Sequence, residues 1–262
     1  MNYNPTLKEI FNMTDYTYLP DVFTEDSYKD FIEHYHFYKN NDLLPKSICI
    51  NLEVLKKIEK DHNIHNLCLV VNFPHADKSF EIIAEEIAYA AKHNAEIDLV
   101  FPSRNFINKG ISQELISLLE FYKQEINKYE FKVVKMIFET SYYISDHSNK
   151  MTELLEACDL TYNFLYSDKY TLFFKTSTGK VFTEENHNMA LKAFEGFIKN
   201  QFKSNIGIKI SGNVKQYSDV LSYLMLLQKA DSLVKADLLR IGASGLLKNL
   251  KPKNLTNTES DY

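Results

Sequence analysis

Cysteine, proline and glycine are all scarce in this chain, tryptophan is absent, and uninterrupted apolar runs are short. The three cysteines, Cys49, Cys68 and Cys158, are odd in number and show no Cys-x-x-Cys or Cys/His metal spacing. That argues against a disulfide framework and a zinc site, and points to a reducing compartment. No stretch approaches the roughly 18 consecutive apolar residues of a membrane-spanning helix. The opening Met1-Asn2-Tyr3-Asn4-Pro5 lacks the basic region and apolar core of a signal peptide. A soluble cytoplasmic protein with no membrane partner is the expectation. Nor is there a basic excess: 30 Lys and Arg face 35 Asp and Glu, a net charge of -5, which argues against a nucleic-acid partner.

What remains is ordinary globular composition, 45% hydrophobic and 25% charged, arranged with a rhythm. Short β-branched or aromatic runs recur at 15–19, 47–51, 67–73, 96–101, 133–139, 172–176, 206–211 and 238–242. Between them lie stretches with apolar residues at three- and four-residue steps, at 26–38, 79–93, 112–128, 149–162, 184–200 and 218–230. Strands alternating with helices predict parallel βα units. Eight such units in 262 residues fit the length of about 250 typical of a TIM (β/α)8 barrel. The expected organisation is a single α/β barrel domain over residues 1–250 and a short flexible tail over 251–262 ending in Tyr262.

The few glycines reinforce this. Gly179, Gly207, Gly212, Gly242 and Gly245, five of only seven, fall at or just beyond the last three strands. A chain that otherwise avoids glycine keeps it where backbone turns tightly or approaches a neighbour closely. In α/β barrels the loops after the last strands commonly bind phosphate, so a phosphorylated substrate is the first expectation.

Lysine is expensive on an apolar strand, because a buried ammonium loses its hydration. Lys175 closes Leu172-Phe173-Phe174, and Lys209 sits between Ile208 and Ile210. They are one βα unit apart, which predicts neighbouring strands roughly 5 Å apart. Two like charges at that distance repel by about 3 kcal/mol at an effective dielectric near 20, on the order of two pKa units. The chemistry that gains from a desolvated lysine beside a second cation is Schiff-base formation with a carbonyl. Electrostatics alone leaves open which lysine is the nucleophile. Asp98, opposite in facing to Ile97 and Leu99 by period-two alternation, enters the lumen either as a proton relay or as a plain counter-ion. Cys49, at a strand end, is assigned no role.

Several segments together resemble the deoxyribose-phosphate aldolases: Asn72-Phe73-Pro74-His75, Glu96 to Pro102, Lys135 to Thr140, Phe174-Lys175-Thr176-Ser177-Thr178-Gly179-Lys180, Gly207-Ile208-Lys209 and Arg240 to Ser244. The resemblance runs from about Asp15 to Tyr262, and the Lys175 to Gly179 segment is its most specific part. It implies a TIM-barrel aldolase with neither metal nor cofactor, reversibly cleaving 2-deoxyribose 5-phosphate to acetaldehyde and glyceraldehyde 3-phosphate in deoxynucleoside catabolism. It further implies Lys175 as the Schiff-base lysine, Lys209 as the lysine that lowers its pKa and Asp98 as the relay carboxylate. Tyr262 is implied as a proton-transfer residue at the enamine carbon. Substrate and phosphate contacts are implied at Thr178, Gly179, Lys180, Gly212, Asn213, Ser244 and Gly245. Barrel aldolases often pair through outer helices, which makes a homodimer the expectation.

The phosphate end departs from the family pattern. The usual Gly-Gly is Gly212-Asn213 here, the following arginine is Lys215, and the usual Ser-Ser is Ser244-Gly245. Lost donors at about 1 to 1.5 kcal/mol each weaken phosphate binding. Two alternatives follow: a Schiff-base aldolase that prefers a non-phosphorylated acceptor, and a non-catalytic descendant that binds a sugar phosphate.

Overall fold

The computed structural model describes residues 5–61, 64–145, 148–181, 187–201, 205–229 and 236–249. In chain order its elements are α1 (Leu7–Met13), β1 (Thr14–Tyr18), α2 (Glu25–Asn40), β2 (Ser47–Ile50), α3 (Leu52–Asp61), β3 (Leu67–Val71), α4 (Phe80–Lys92), β4 (Glu96–Val100), α5 (Ser103–Lys109), α6 (Gln113–Ile126) and β5 (Val133–Ile137). There follow β6 (Ile144–Ser145), β7 (Ser148–Asn149), α7 (Met151–Leu165), β8 (Thr171–Lys175), α8 (His187–Gln201), β9 (Ile206–Ser211), α9 (Tyr217–Lys229), β10 (Leu239–Ala243) and α10 (Gly245–Asn249). Eight strands, β1 to β5 and β8 to β10, are parallel and close on themselves in the order β1-β10-β9-β8-β5-β4-β3-β2. The predicted (β/α)8 barrel is the observed fold. No helix among the described residues is long and apolar enough to cross a membrane.

Each expected strand is present, with ends that shift where the backbone turns. The strand expected to reach Phe73 stops at Val71, because Asn72 takes a left-handed conformation (φ 56°). The one expected to reach Glu139 stops at Ile137, with Glu139 itself left-handed (φ 47°). Asparagine tolerates that region better than most residues, and here its side chain is put to use. Asn72 donates to the Tyr122 hydroxyl over 2.8 Å, and Tyr122 donates on to the Val100 carbonyl over 3.0 Å, fixing the β3 loop to the end of β4. Helices α1, α3, α5 and α10 and the β6/β7 hairpin are additional to the expected elements. The tail from 250 onward, Tyr262 included, lies outside the described residues.

Period-two alternation divides the strand side chains between two environments. Outward residues such as Val134, Phe174 and Ile208 join the main core between barrel and helices, where Phe138, Phe174, Phe194 and Phe197 pack ring against ring. Inward, a small apolar cluster of Cys49, Cys68 and Val70, capped by Leu19 and Phe73, occupies one side of the lumen. The other side is charged. Two strand glycines make room there. A Cβ on Gly207 would stand 2.4 Å from the Phe173 ring and 2.6 Å from the Leu238 carbonyl oxygen. One on Gly242 would stand 2.8 Å from Ser211 Cβ and 3.1 Å from the side chain of Lys209.

Candidate active site

Among the described residues, seven ionisable side chains meet inside the barrel. Asp15 comes from β1, Glu96 and Asp98 from β4, Lys135 from β5, Lys175 from β8, Lys209 from β9 and Arg240 from β10. Register explains the meeting: Asp98 pairs with Lys135, Lys175 with Lys209, and Lys209 with Arg240. Asp98 is the hub. Its Oδ2 accepts from Lys175 Nζ and Lys209 Nζ, each at 2.8 Å, while Oδ1 lies 2.9 Å from Lys135 Nζ and accepts from Cys68 Sγ over 3.0 Å. The two lysines singled out in the sequence therefore share one carboxylate oxygen. Asp98, Lys135 and Lys209 are wholly buried and Lys175 is 3% exposed.

The three lysines differ in counter-charge. Lys209 has two carboxylates, Asp15 at 2.6 Å and Asp98 at 2.8 Å. Lys135 has three, Glu96 at 2.6 Å, Asp98 at 2.9 Å and Asp15 at 3.6 Å. Among the described residues Lys175 has only Asp98, and shares the oxygen it contacts. Burial acts to lower Lys209 and Lys135, but the carboxylates override it: Asp15 and Asp98 hold Lys209 above the ordinary lysine value, and Asp98, Cys68, Glu96 and Asp15 hold Lys135 well above it. Burial likewise acts to raise Asp98, yet Lys135, Lys175, Lys209 and the Cys68 thiol keep it far below the usual carboxylate range. Asp15 follows the same logic: burial raises it, Lys209, Lys135 and Arg240 prevail, and it falls to about 2. Arg240 closes the group, 3.6 Å from Asp15, 3.7 Å from Glu96 and 5.2 Å from the centre of the Phe173 ring.

Three carboxylates thus stand against four basic groups. The set is electroneutral when one amine is uncharged, and Lys175 holds the fewest counter-charges. A metal ion has poor prospects in the same space. Cys49, Cys68 and Asp98 bring three donor atoms within 4.8 Å of one another, but a cation there would face the ammonium groups of Lys135 and Lys209 already gathered on Asp98.

Above Lys175 the loop is held by Glu139. Its Oε1 accepts from Ser177 Oγ over 2.9 Å, and its Oε2 accepts from the Thr178 amide over 3.0 Å and from the Thr178 hydroxyl. Thr176 and Ser211 tie the β8 and β9 ends together through paired bonds of 2.9 Å. Both donors of Thr178, expected at the substrate, are engaged with Glu139. The amide of Gly179 donates to Ser177 Oγ over 2.9 Å. Lys180 reaches across to the loop after β1, its ammonium 2.7 Å from the Leu19 carbonyl and 2.6 Å from Asp21. Gly212 and Asn213 follow β9, both with positive φ, and Ser244 and Gly245 follow β10. Gly242 pairs with Ser211, so these two loops are adjacent, and Gly245 lies against Lys215. The predicted phosphate residues after β9 and β10 thus share a corner of the barrel mouth. On the opposite side of the mouth a cavity of about 340 Å³ is lined by His75, Phe101, Arg104, Glu139 and Tyr142. A larger one of about 430 Å³ lies further out, around Phe80, Phe106 and Leu118.

No protein-family model matches the chain. Comparison with solved structures is informative. An apo deoxyribose-phosphate aldolase, so assigned, from Toxoplasma gondii ME49 superposes with a TM-score of 0.74 at 18% identity, over 93% of each chain. Deoxyribose phosphate aldolase from Aeropyrum pernix gives 0.62 at 17% identity, over 95% of this chain and 93% of its own. An aldolase called QR15 gives 0.64 at 20% identity, over 95% and 98%. The chain shares the fold of these aldolases. Of the residues singled out in the sequence, Lys175, Lys209 and Asp98 come together at one point, and the loop residues surround the same end of the barrel. Sequence reasoning passed over Asp15, Glu96, Lys135, Arg240 and Glu139, although Glu96, Lys135 and Arg240 carry the signal that drew attention to Lys209, a charge between apolar neighbours; Asp15, between Thr14 and Tyr16, does not.

Proposed function

We propose that the protein is a Schiff-base aldolase that cleaves 2-deoxyribose 5-phosphate reversibly to acetaldehyde and glyceraldehyde 3-phosphate. The observation that carries this reading is the contact of Lys175 and Lys209 with a single buried oxygen of Asp98, at 2.8 Å each. A nucleophilic amine must be neutral, and Lys175 is the member of the cluster whose proton the remaining charges need least. In the cleavage direction its nitrogen adds to the C1 aldehyde of the open-chain sugar, and loss of water gives an iminium. Removal of the C3 hydroxyl proton breaks the C2–C3 bond, the electron pair passes into the iminium, and glyceraldehyde 3-phosphate leaves. The enamine is protonated at C2 and hydrolysed, releasing acetaldehyde and the free amine. Asp98 is ionised at rest. It offers one oxygen to both amines and thereby a path for the proton between Lys175 and Lys209.

Borohydride reduction in the presence of acetaldehyde tests the reading. A reduced two-carbon adduct on Lys175, located by peptide mass mapping, is expected. An unmodified protein, or an adduct spread over surface lysines, refutes it. A second reading, a changed acceptor, draws on Asn213, Lys215 and Gly245 at the expected phosphate corner. Steady-state kinetics with phosphorylated and unphosphorylated glyceraldehyde distinguish the two.

A further inference from the structure

The lumen holds two thiols for which the proposed chemistry has no use. Cys49 on β2 and Cys68 on β3 are paired in register, fully buried, and share an inward cluster with Val70. Their sulfurs and a carboxylate oxygen of Asp98 lie within 4.8 Å of one another. Cys68 donates to Oδ1 of Asp98 over 3.0 Å, and Cys49 faces Oδ2 at 3.6 Å. Lys135 Nζ stands 3.1 Å from the Cys68 sulfur. Neighbouring strands run about 4.8 Å apart, inside the roughly 4.4–6.8 Å range of Cα separations that a disulfide bridges.

We propose that Cys49 and Cys68 are joined by peroxide into a reversible disulfide that switches off the amine chemistry at Lys175. The inference rests on the aldolase reading in its account of access and of what is switched off. Any aldehyde that condenses with Lys175 reaches a nitrogen 2.8 Å from Asp98 Oδ2, and that oxygen is 3.6 Å from Cys49 Sγ. A peroxide is smaller and takes the same route. The Cys49 sulfur attacks one peroxide oxygen: an S–O bond forms, the O–O bond breaks, and the departing hydroxide takes up the Cys49 proton as water. Sulfur is oxidised by two electrons and peroxide is reduced. The Cys68 sulfur then attacks that of Cys49, forming S–S and breaking S–O, and the Cys68 proton leaves with the hydroxyl as a second water. The order follows from the surroundings: a hydrogen bond with Cys68 holds the Cys49 thiol below its ordinary value despite burial, with Lys209 adding to the effect, whereas burial pushes the Cys68 thiol well up. Closing the bond removes both S–H groups from Asp98, the carboxylate that positions Lys175 and Lys209. Side chains paired straight across parallel strands start further apart than the about 3.8 Å between Cβ atoms of a relaxed disulfide, so ordinary thiols reopen the bond.

The test uses the full chain, reduced, freed of reductant, titrated with hydrogen peroxide and alkylated under denaturing conditions. Expected are a mass lower by two hydrogens, a linked pair of peptides carrying Cys49 and Cys68, and an alkylated Cys158, which is buried against the helices and serves as internal control. Trapping of acetaldehyde falls by about tenfold or more, the effect of losing one hydrogen bond to a charged group, and dithiothreitol restores it. In Cys68→Ser, Cys49 is expected to accumulate as a sulfenic acid captured by dimedone, with no linked peptide. Three alkylated cysteines after peroxide, sulfinic acid at either thiol, or a Cys68–Lys135 crosslink overturns the proposal. So does equal trapping by the linked and reduced forms. A protein that links its thiols but never traps acetaldehyde leaves the disulfide standing and overturns the aldolase reading instead.

Discussion

Replacing Lys175 and Lys209 by methionine, one at a time, separates a catalytic charge from a structural one. Methionine keeps most of the side-chain volume and removes only the charge and its hydrogen bonds. Lys209 lies 2.6 Å from Asp15 and 2.8 Å from Asp98 with all three fully buried. Its loss leaves two buried carboxylates short of a partner, and breaking a buried pair in this way costs about 3–5 kcal/mol. Among the described carboxylates Lys175 touches Asp98 alone, and that oxygen keeps Lys209. If Lys175 is the amine that leaves the cluster balanced when uncharged, Lys175→Met removes one hydrogen bond to a charged group and no needed charge, a loss of about 1.5–3 kcal/mol. Against a total stability of about 5–15 kcal/mol, urea denaturation resolves that difference. Lys175→Met is expected to unfold at slightly lower urea than the wild type and to trap no acetaldehyde. Lys209→Met is expected to unfold at markedly lower urea and to trap slowly. Equal destabilisation by the two substitutions, or a larger loss at Lys175, would refute the assignment of the uncharged amine.

The ionised cluster also sets the response to pH. Asp15 titrates at about 2 in the folded chain against 3.8 when free, so its contribution is complete above 3.8 and disappears as pH falls toward 2. Lys135 and Lys209 are shifted above 10.5, so theirs is complete below that value and is lost only as pH rises beyond it. Asp15→Asn should flatten the acid limb of a plot of urea midpoint against pH, and an unchanged limb contradicts the shift. Gly207→Ala forces a methyl group to 2.6 Å from a backbone oxygen and 2.4 Å from the Phe173 ring; a loss of about 1–3 kcal/mol in urea is expected, and a wild-type midpoint excludes the close approach. Glu139→Gln replaces an acceptor for the Ser177 and Thr178 donors with an amide. It should speed amide hydrogen exchange at Thr178 and slow trapping by about tenfold or more, whereas exchange at the wild-type rate rules out the anchoring role.

The barrel was legible because periodicity reports burial on two faces. Alternation placed Asp98 in the lumen from Ile97 and Leu99 alone, and the interval between Lys175 and Lys209 brought them to adjacent strands. Period-two patterns do not say how many charges a lumen holds. Lys135 lies between Val134 and Met136, and Arg240 between Leu239 and Ile241, so both passed as parts of a strand. The consequence is electrostatic: two isolated lysines repel, whereas these two sit on a shared carboxylate within a group of seven. Glu139 was hidden for a different reason. Its importance comes from a left-handed backbone that turns its carboxylate under the β8 loop, and no single-residue pattern reports that. The short helices α5 and α10, of seven and five residues, are too brief to display a helical period.

The two ends of the candidate site differ in what holds them, and that bears on which of them is free to change. Asp15, Asp98, Lys135 and Lys209 stand on strands, and each touches at least two of the others, so a substitution at one leaves buried charge at another. The corner after β9 and β10 stands on loops. Asn213 occupies a left-handed conformation (φ 52°) that asparagine accepts, so replacing glycine there preserves the turn. Lys215 is held through its backbone amide, which donates to Asp219 over 2.9 Å, leaving the choice of side chain independent of the loop's path. Gly245 packs beside Lys215 without crowding, since a Cβ there would meet nothing closer than 3.6 Å. Departures from the aldolase pattern therefore collect where the backbone tolerates them. In the proposed aldolase they would alter the groups offered to a phosphate while the amine and carboxylate centre, enclosed by the strands, keeps its geometry, so a drift in acceptor preference would require no change in the proposed chemistry at Lys175.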